Sequence, residues 1–200
     1  MNQELFPLTV RYFFLFAPVF ALMMFLSLTR NFEDKRRKND ATKIALTSFL
    51  FSVVIIFIGE QIFNVLGITL NAFRVGVGTM LLLDGIGLVR GKITPPKNED
   101  KNEEIVFVPM TIPVIIGPAV IGTLLVAGTD TGEDLNLKLI HILALFITSF
   151  LMWLMLYLCV TIEKYVGTKK LTILSKMTGI YLAALASQMI LQGVTQEFFK

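Results

Sequence analysis

Six long stretches of the chain carry few ionised side chains, and each is long enough to cross a lipid bilayer. They cover residues 12–28, 44–68, 70–89, 106–128, 139–162 and 171–194. A transmembrane helix needs about 20 predominantly apolar residues, within a range of about 17–25. Only 16% of the residues are charged, whereas about 25% are charged in a soluble domain. The sequence therefore predicts an all-α membrane protein with six transmembrane helices.

The two halves of the chain carry prolines and glycines at nearly constant spacing. Pro18 lies 100 residues before Pro118, and Gly67 lies 100 residues before Gly167. Each half holds three apolar stretches, so the second half must enter the membrane with the opposite orientation. The spacing predicts two inverted three-helix repeats, an arrangement typical of secondary transporters.

The boundary between the repeats falls in a charged segment. Residues 1–90 form the first predicted repeat and residues 105–200 form the second. The segment 91–104, which reads GKITPPKNEDKNEE, is too polar to cross the bilayer. Its Pro95-Pro96 pair ends the third helix. We therefore expect a cytoplasmic linker at 91–104.

Positive charge is unevenly divided between the two sets of loops that six spans define. The N-terminus, the second and fourth loops and the C-terminus hold only four of the 18 lysines and arginines: Arg11, Arg74, Lys138 and Lys200. Lysine and arginine accumulate on the cytoplasmic side of membrane proteins. We therefore expect both termini to face outward from a bacterial cytoplasmic (inner) membrane. The net charge of +3 needs no nucleic-acid partner, and the lipid bilayer is the partner that the composition implies.

Three prolines and two glycines interrupt the fourth stretch, FVPMTIPVIIGPAVIGT. They are Pro109, Pro113, Gly117, Pro118 and Gly122. Each proline lacks an N–H and disfavours helical geometry in the residue before it. Broken backbone survives at membrane depth only where it faces protein or a watery cavity. The pattern predicts a broken fourth helix, and Pro18 predicts a break or a simple kink at the matching place in the first helix.

Four motifs resemble the MarC family of integral membrane proteins (UPF0056-type), also described as small neutral amino acid transporters. They are FLSLT at 25–29, GITLNAFR at 67–74, the set Pro109, Pro113, Gly117 and Pro118, and the set Lys176, Gly179, Ala183-Ala184, Gln188 and Gly193. The motifs follow one another at the family's spacing over nearly the whole chain. The resemblance implies transport of glycine-like and alanine-like solutes.

Four positions depart from the family pattern. Ala17 replaces an asparagine, Phe20 a glycine, Met23 a second proline and Ala119 the last glycine of Gly-Pro-Gly. The first helix has therefore lost polar and flexible positions that the resemblance associates with a site, whereas the fourth helix keeps most of its own.

The candidate substrate-binding residues lie at the two breaks and at one polar position in the sixth helix. They are Ala17, Pro18, Thr111, Pro113, Gly117, Pro118, Gly122, Thr123 and Gln188. Half-helix N-termini and free carbonyls at such breaks suit the carboxylate and ammonium of a small zwitterion.

Three charged residues within or beside the spans have two interpretations each. Asp84 is a coupling site for a proton or cation, or a structural hydrogen-bonding group near the end of the third helix. Arg74 and Lys176 lie 102 residues apart at the predicted starts of the third and sixth helices. Either one holds a substrate carboxylate or caps a turn, or both anchor helix ends at the membrane interface.

No pattern in the chain indicates an enzyme, a cofactor or a metal site. His141 is the only histidine and Cys159 the only cysteine, so the usual nitrogen and sulfur ligand sets are missing. The sequence also lacks a Walker loop and the common hydrolase motifs. Any coupled transport would use an ion gradient.

Two classes of function remain open at this point. The first is a secondary transporter of a small neutral amino acid or similar solute that works by alternating access. The second is a non-transporting membrane scaffold or regulator whose site has eroded, which the changes at Ala17 and Phe20 favour. A passive channel is a third hypothesis, with less support from the sequence.

The division of positive charge predicts the side on which the C-terminus lies. A fusion after Lys200 should give an active periplasmic reporter and an inactive cytoplasmic one, because most basic residues lie in the other loops. Matched fusions within the linker 91–104 should give the opposite result. Activity of the Lys200 fusion only in the cytoplasm would contradict the topology.

Overall fold

The computed structural model describes residues 2–91 and 105–198, and helices account for nearly all of them. Eight α-helices occupy this part of the chain: α1 (Asn2–Leu15), α2 (Pro18–Leu28), α3 (Asp34–Leu66), α4 (Leu70–Arg90), α5 (Pro118–Thr131), α6 (Leu135–Tyr157), α7 (Cys159–Val166) and α8 (Thr168–Phe198). An irregular stretch at Val106–Ile115, called here the interrupted segment, precedes α5. The described residues contain no strand, so the all-helical class is confirmed. The predicted linker lies outside the described residues, apart from Gly91.

Five of the described segments are long and apolar enough to span a membrane: Leu5–Leu28, Asp34–Gly59, Leu70–Arg90, Leu135–Tyr157 and Lys169–Phe198. The fourth predicted stretch, residues 106–128, is not in this set because the regular α-helix within it is too short to span a membrane. It consists of the interrupted segment followed by α5, which has only 14 residues.

Three details of the sequence reading are corrected by the structure. The basic run DKRRK belongs to the first turns of α3, which begins at Asp34, and not to the loop before it. Lys176 lies two turns inside α8, because that helix already begins at Thr168. The fifth stretch is divided at Leu158, where α6 gives way to α7.

The closest helix contact joins α4 to α8, which pack antiparallel. A Cβ atom added at Gly85 would lie 2.7 Å from the carbonyl oxygen of Gly179, and one at Gly78 would lie 3.0 Å from that of Ala186. Farther along, a Cβ at Gly193 would lie 2.7 Å from the Asn71 carbonyl. These positions repeat every seven residues on both helices. Small residues at this spacing let two backbones approach closely within a bilayer.

The remaining helices contact this pair mainly through α5 and α2. The helix α1 packs against α6, and α3 packs against both α5 and α6. Large side chains of the first span fill the centre, among them Tyr12, Phe16 and Phe25, each no more than 1% exposed. Many apolar side chains of α6 and α8 are exposed instead, including Leu139, Phe146 and Met177. Apolar exposure of this extent fits a surface that contacts lipid.

The α4–α8 contact predicts an unequal response to two glycine substitutions. Gly179→Leu should lower stability by at least about 1–3 kcal/mol and reduce the yield of inserted protein, because overpacking displaces a neighbouring backbone. Here the obstacle is the Gly85 carbonyl, 2.6 Å from the added Cβ. Labelling of Cys159, the only cysteine and only 1% exposed, can report thermal unfolding.

The control is Gly76→Leu on the exposed face of α4, where an added Cβ meets no atom within 4 Å. Equal melting temperatures and yields for the two variants would contradict the close contact.

Candidate functional site

The first span is divided into two helices at Ala17. This residue adopts φ 45° and ψ 57°, a left-handed conformation that is uncommon for residues other than glycine. Pro18 cannot donate to the Phe14 carbonyl, as an uninterrupted helix would require. The N–H of Ala17 donates to that carbonyl instead, at 3.0 Å. The backbone is therefore broken here, beyond the simple kink that the sequence left open.

The fourth predicted stretch is interrupted at each of its prolines. Val108 (φ −125°, ψ 124°) and Ile112 (φ −124°, ψ 122°) are extended, and so is Gly117 (φ −78°, ψ 171°). Each of these residues precedes a proline, whose ring disfavours helical geometry in its neighbour. The N–H of Ile116 donates to the Thr111 carbonyl at 2.8 Å. This hydrogen bond spans five residues and closes a turn one residue wider than that of an α-helix.

The two breaks face a common cavity near the middle of the bundle, called here the central cavity. Its volume is about 300 Å³. Residues from both breaks and from α4 line it, including Ala17, Phe20, Asp84, Pro113, Gly117 and Pro118. Leucines and Met24 complete a predominantly apolar wall.

Among the described residues that line the central cavity, Asp84 alone is charged. It lies on α4 one turn from Leu81 and Leu88, which line the same cavity. Its carboxylate makes no ion pair or hydrogen bond with any residue that the structure describes. A carboxylate inside a membrane protein usually faces an interior cavity or pathway. Here it offers an unpaired negative charge to the central cavity.

The N-termini of α2 and α5 also lie at the central cavity. The first N–H groups of a helix have no partner within it, and they carry a partial positive charge. The residue preceding α2 is Ala17 and the residue preceding α5 is Gly117, and neither has a side chain able to cap the helix. The cavity therefore combines two electropositive helix ends with one carboxylate.

Several predicted site residues lie elsewhere. Thr111 is buried and donates its hydroxyl to the Val106 carbonyl at 2.7 Å. Thr123 donates to the Ala119 carbonyl at 2.8 Å and lines a different cavity. Pro18 is buried outside the cavity wall, and Gln188 is exposed on the surface of α8.

Gly122 has a packing role in the structure. A Cβ atom added there would lie 2.2 Å from Cγ2 of Val77. The glycine thus lets α5 approach α4 just beyond the break, and it does not line the central cavity.

Arg74 belongs to a buried polar cluster that links three helix ends. Its guanidinium donates to Asp130 at the end of α5 and to Gln196 at the end of α8. It also donates to Asn71, at 3.2 Å. Only 7% of Arg74 is exposed, so its charge is balanced by this carboxylate. Lys176, its predicted counterpart in the second half, is exposed on α8.

A second cavity lies beside Asp130, at the end of the bundle that holds the Arg74 cluster, and no sequence pattern predicted it. Its volume is about 290 Å³, and its wall includes Arg11, Thr123, Asp130 and His141. Nearby, the Tyr12 hydroxyl lies 2.5 Å from Nδ1 of His141. No local pattern marks these residues, because α1, α5 and α6 each contribute only one or two of them. The described residues contain no group of three metal-binding side chains.

These features define a class: a multi-pass integral membrane protein with broken helices around a central cavity. A family model described as "MarC family integral membrane protein" matches residues 2–198. The chain belongs to the MarC family.

Similar proteins carry the name UPF0056 membrane protein, which states a location but no solute. One from Methanocaldococcus jannaschii is 31% identical over 88% of this chain and 89% of its own length. One from Chlamydia trachomatis is 31% identical over 99% of this chain and 96% of its own. One from Buchnera aphidicola is 25% identical over 99% of this chain and 98% of its own length. No solved structure matches the chain.

The packing of Gly122 predicts a compensated pair of substitutions. Gly122→Ala should destabilise the protein by about 1–3 kcal/mol, because the stiff Val77 side chain cannot move aside easily. Adding Val77→Ala to the same chain should restore most of that loss, as measured by thermal unfolding. Additive destabilisation in the double variant would show that the two residues do not contact each other.

Proposed function

We propose that the protein is a secondary transporter of a small neutral amino acid or a similar zwitterionic solute. The observation that carries this proposal is the central cavity, where two proline breaks from different halves of the chain meet beside Asp84. Broken helices at the bilayer midplane are typical of solute sites in secondary transporters.

The groups at the cavity match the two charges of a zwitterion. The N-termini of α2 and α5 favour a carboxylate, as helix N-termini generally favour anions. The carboxylate of Asp84 attracts an ammonium group or a coupling cation. Arg74, in contrast, already has Asp130 as its partner, so we assign no solute carboxylate to it in this cavity.

The size and lining of the cavity favour a small solute. Its volume of about 300 Å³ lies at the lower limit of ligand pockets, which span about 300–1,000 Å³. The wall is mostly leucine, methionine, phenylalanine and proline. A short apolar side chain would fit such a wall, whereas a large polar one would lose hydrogen bonds to water.

The pattern of helix contacts supports two inverted repeats, residues 1–90 and 105–200. The helix α3 contacts both the interrupted segment and α5, and α6, its counterpart, contacts both α1 and α2. Gly85 meets Gly179 across the α4–α8 contact, and Gly78 meets Ala186. A shift of 101 residues along the chain converts the first pair into the second. An inverted repeat about an axis through this contact would produce that correspondence.

Alternating access would move the two halves relative to each other around the central cavity. A cavity of about 210 Å³ at the Gly91 end of the bundle shares Phe20, Met24 and Leu88 with the central cavity. These three side chains form a thin partition between the two spaces. The positive-inside expectation assigns this end to the cytoplasm, with the linker 91–104.

A membrane scaffold or regulator with an eroded site is the alternative. Phe20 favours the scaffold, because the resemblance places a glycine at this position and the larger phenylalanine narrows the space between the central cavity and the cavity at the Gly91 end. However, Phe20 lines the cavity without filling it. Uptake measurements separate the two functions.

Gly117→Leu should abolish uptake of radiolabelled glycine and L-alanine into proteoliposomes, measured with and without a proton or sodium gradient. The extended backbone of Gly117 suits any residue, although an added Cβ would lie 3.0 Å from the Pro113 carbonyl oxygen, and the leucine side chain would occupy the approach to the N-terminus of α5. The wild-type protein should accumulate at least one of the two solutes when a gradient is imposed.

Gly76→Leu is the matched control and should retain uptake, because Gly76 is exposed and does not line the central cavity. Uptake by stably inserted Gly117→Leu at the wild-type rate would overturn the site assignment. Absence of wild-type uptake under every gradient would favour the scaffold.

A further inference from the structure

The second cavity, called here the vestibule, lies on the same two helix faces as the central cavity. On α1, Leu8 and Arg11 line the vestibule, while Leu15 lines the central cavity. These three positions are separated by three and four residues, and such positions share one face of a helix. The first wall of the vestibule therefore continues into the central cavity.

The helix α5 forms the second wall in the same way. Thr123, Ala127 and Asp130 line the vestibule, and Val120 lines the central cavity. Their spacings of three, four and three residues again keep them on one face. Among the described residues, none lines both cavities, so they are two distinct spaces in this structure.

Two opposite charges are available to a ligand in the vestibule. Arg11 is exposed, and its guanidinium forms no ion pair with a described residue. Among the described residues, Asp130 pairs with Arg74 through Oδ1, and its side chain remains 47% exposed. Its second carboxylate oxygen accepts from no described residue and is available to a ligand. His141 adds a ring that the Tyr12 hydroxyl holds in place.

We propose that the vestibule is a second binding station for a small zwitterion, with its carboxylate on Arg11 and its ammonium on Asp130. The class of solute rests on the proposed function, whereas the position and the two charged contacts rest on the cavity itself. The volume of about 290 Å³ matches that of the central cavity, so one solute would fit both.

The position of Asp130 couples this station to the closure of the bundle. An ammonium group bound at the second oxygen of Asp130 shares with Arg74 the single negative charge of this carboxylate. Arg74 keeps Gln196 and Asn71 as acceptors, so its buried charge is not left without hydrogen bonds. Occupancy of the vestibule would therefore weaken the ion pair that ties the end of α5 to the start of α4. A solute that favours the loosened state shifts the equilibrium toward it.

Binding of radiolabelled L-alanine in detergent tests the station directly. The Gly117→Leu background removes the central site, and one alanine should still bind per chain. Adding Arg11→Gln or Asp130→Asn should weaken that binding at least about tenfold, because each removes one charge partner. Glu133→Gln and Arg90→Gln, which are exposed and line neither cavity, are the matched controls.

A labelling experiment in the otherwise native cavity gives a second readout. With Cys159 replaced by serine, Ala127→Cys places a single thiol in the vestibule wall. L-alanine should slow its reaction with a membrane-impermeant maleimide, while propionate or ethylamine at the same concentration should not. Protection by propionate alone would indicate a simple anion site, and stronger protection by phosphoethanolamine would indicate a lipid headgroup. Either result would overturn the proposal.

The outcomes also separate this station from the proposed function. If wild-type protein transports alanine but Ala127→Cys is never protected and Arg11→Gln has no effect on transport, the vestibule proposal fails alone. If alanine protects Ala127→Cys but no variant or wild-type protein transports it, the station stands and the transport proposal fails.

Discussion

Hydrogen bonding of the backbone inside hydrocarbon is the constraint on which the rest of this structure depends. A carbonyl or N–H without a partner costs several kcal/mol at membrane depth. Pro18, Pro113 and Pro118 each remove an N–H from a membrane-spanning segment. Broken backbone must then be enclosed by protein, and the bundle achieves this by bringing both breaks to one central cavity. The cavity and the breaks are thus two consequences of the same prolines.

The α4–α8 contact determines which side chains reach that cavity. Gly78 and Gly85 turn one face of α4 against the α8 backbone. With that face fixed, the neighbouring face, which carries Leu81, Asp84 and Leu88, is directed to the central cavity. Asp84 would otherwise be an expensive charge in lipid. A stripe of glycines therefore decides that this carboxylate faces the breaks.

Local composition was sufficient to predict five of the six membrane-spanning stretches as long apolar helices and to predict the positions of the breaks, because hydropathy and proline geometry act over a few residues. It was insufficient for contacts between distant segments. The pairing of Arg74 with Asp130 joins residues 56 positions apart, and neither residue indicates the other in the sequence. Gln188 lies two residues beyond Ala186 on α8, hence on nearly the opposite face. The seven-residue repeat of small residues on α8 was the signal that could have excluded it from the cavity.

In the proposed transporter, the departures from the family pattern affect the passage of the solute more than the groups that would bind it. Ala17 removes an asparagine, yet it leaves the N-terminus of α2 uncapped and directed at the cavity, where a solute carboxylate can take the place of a capping side chain. Phe20 belongs to the partition that the central cavity shares with the space at the Gly91 end. Aromatic bulk there would restrict passage without altering Asp84 or the helix ends. In the proposed transporter, such changes would lower the rate or the size limit of transport before they abolished binding.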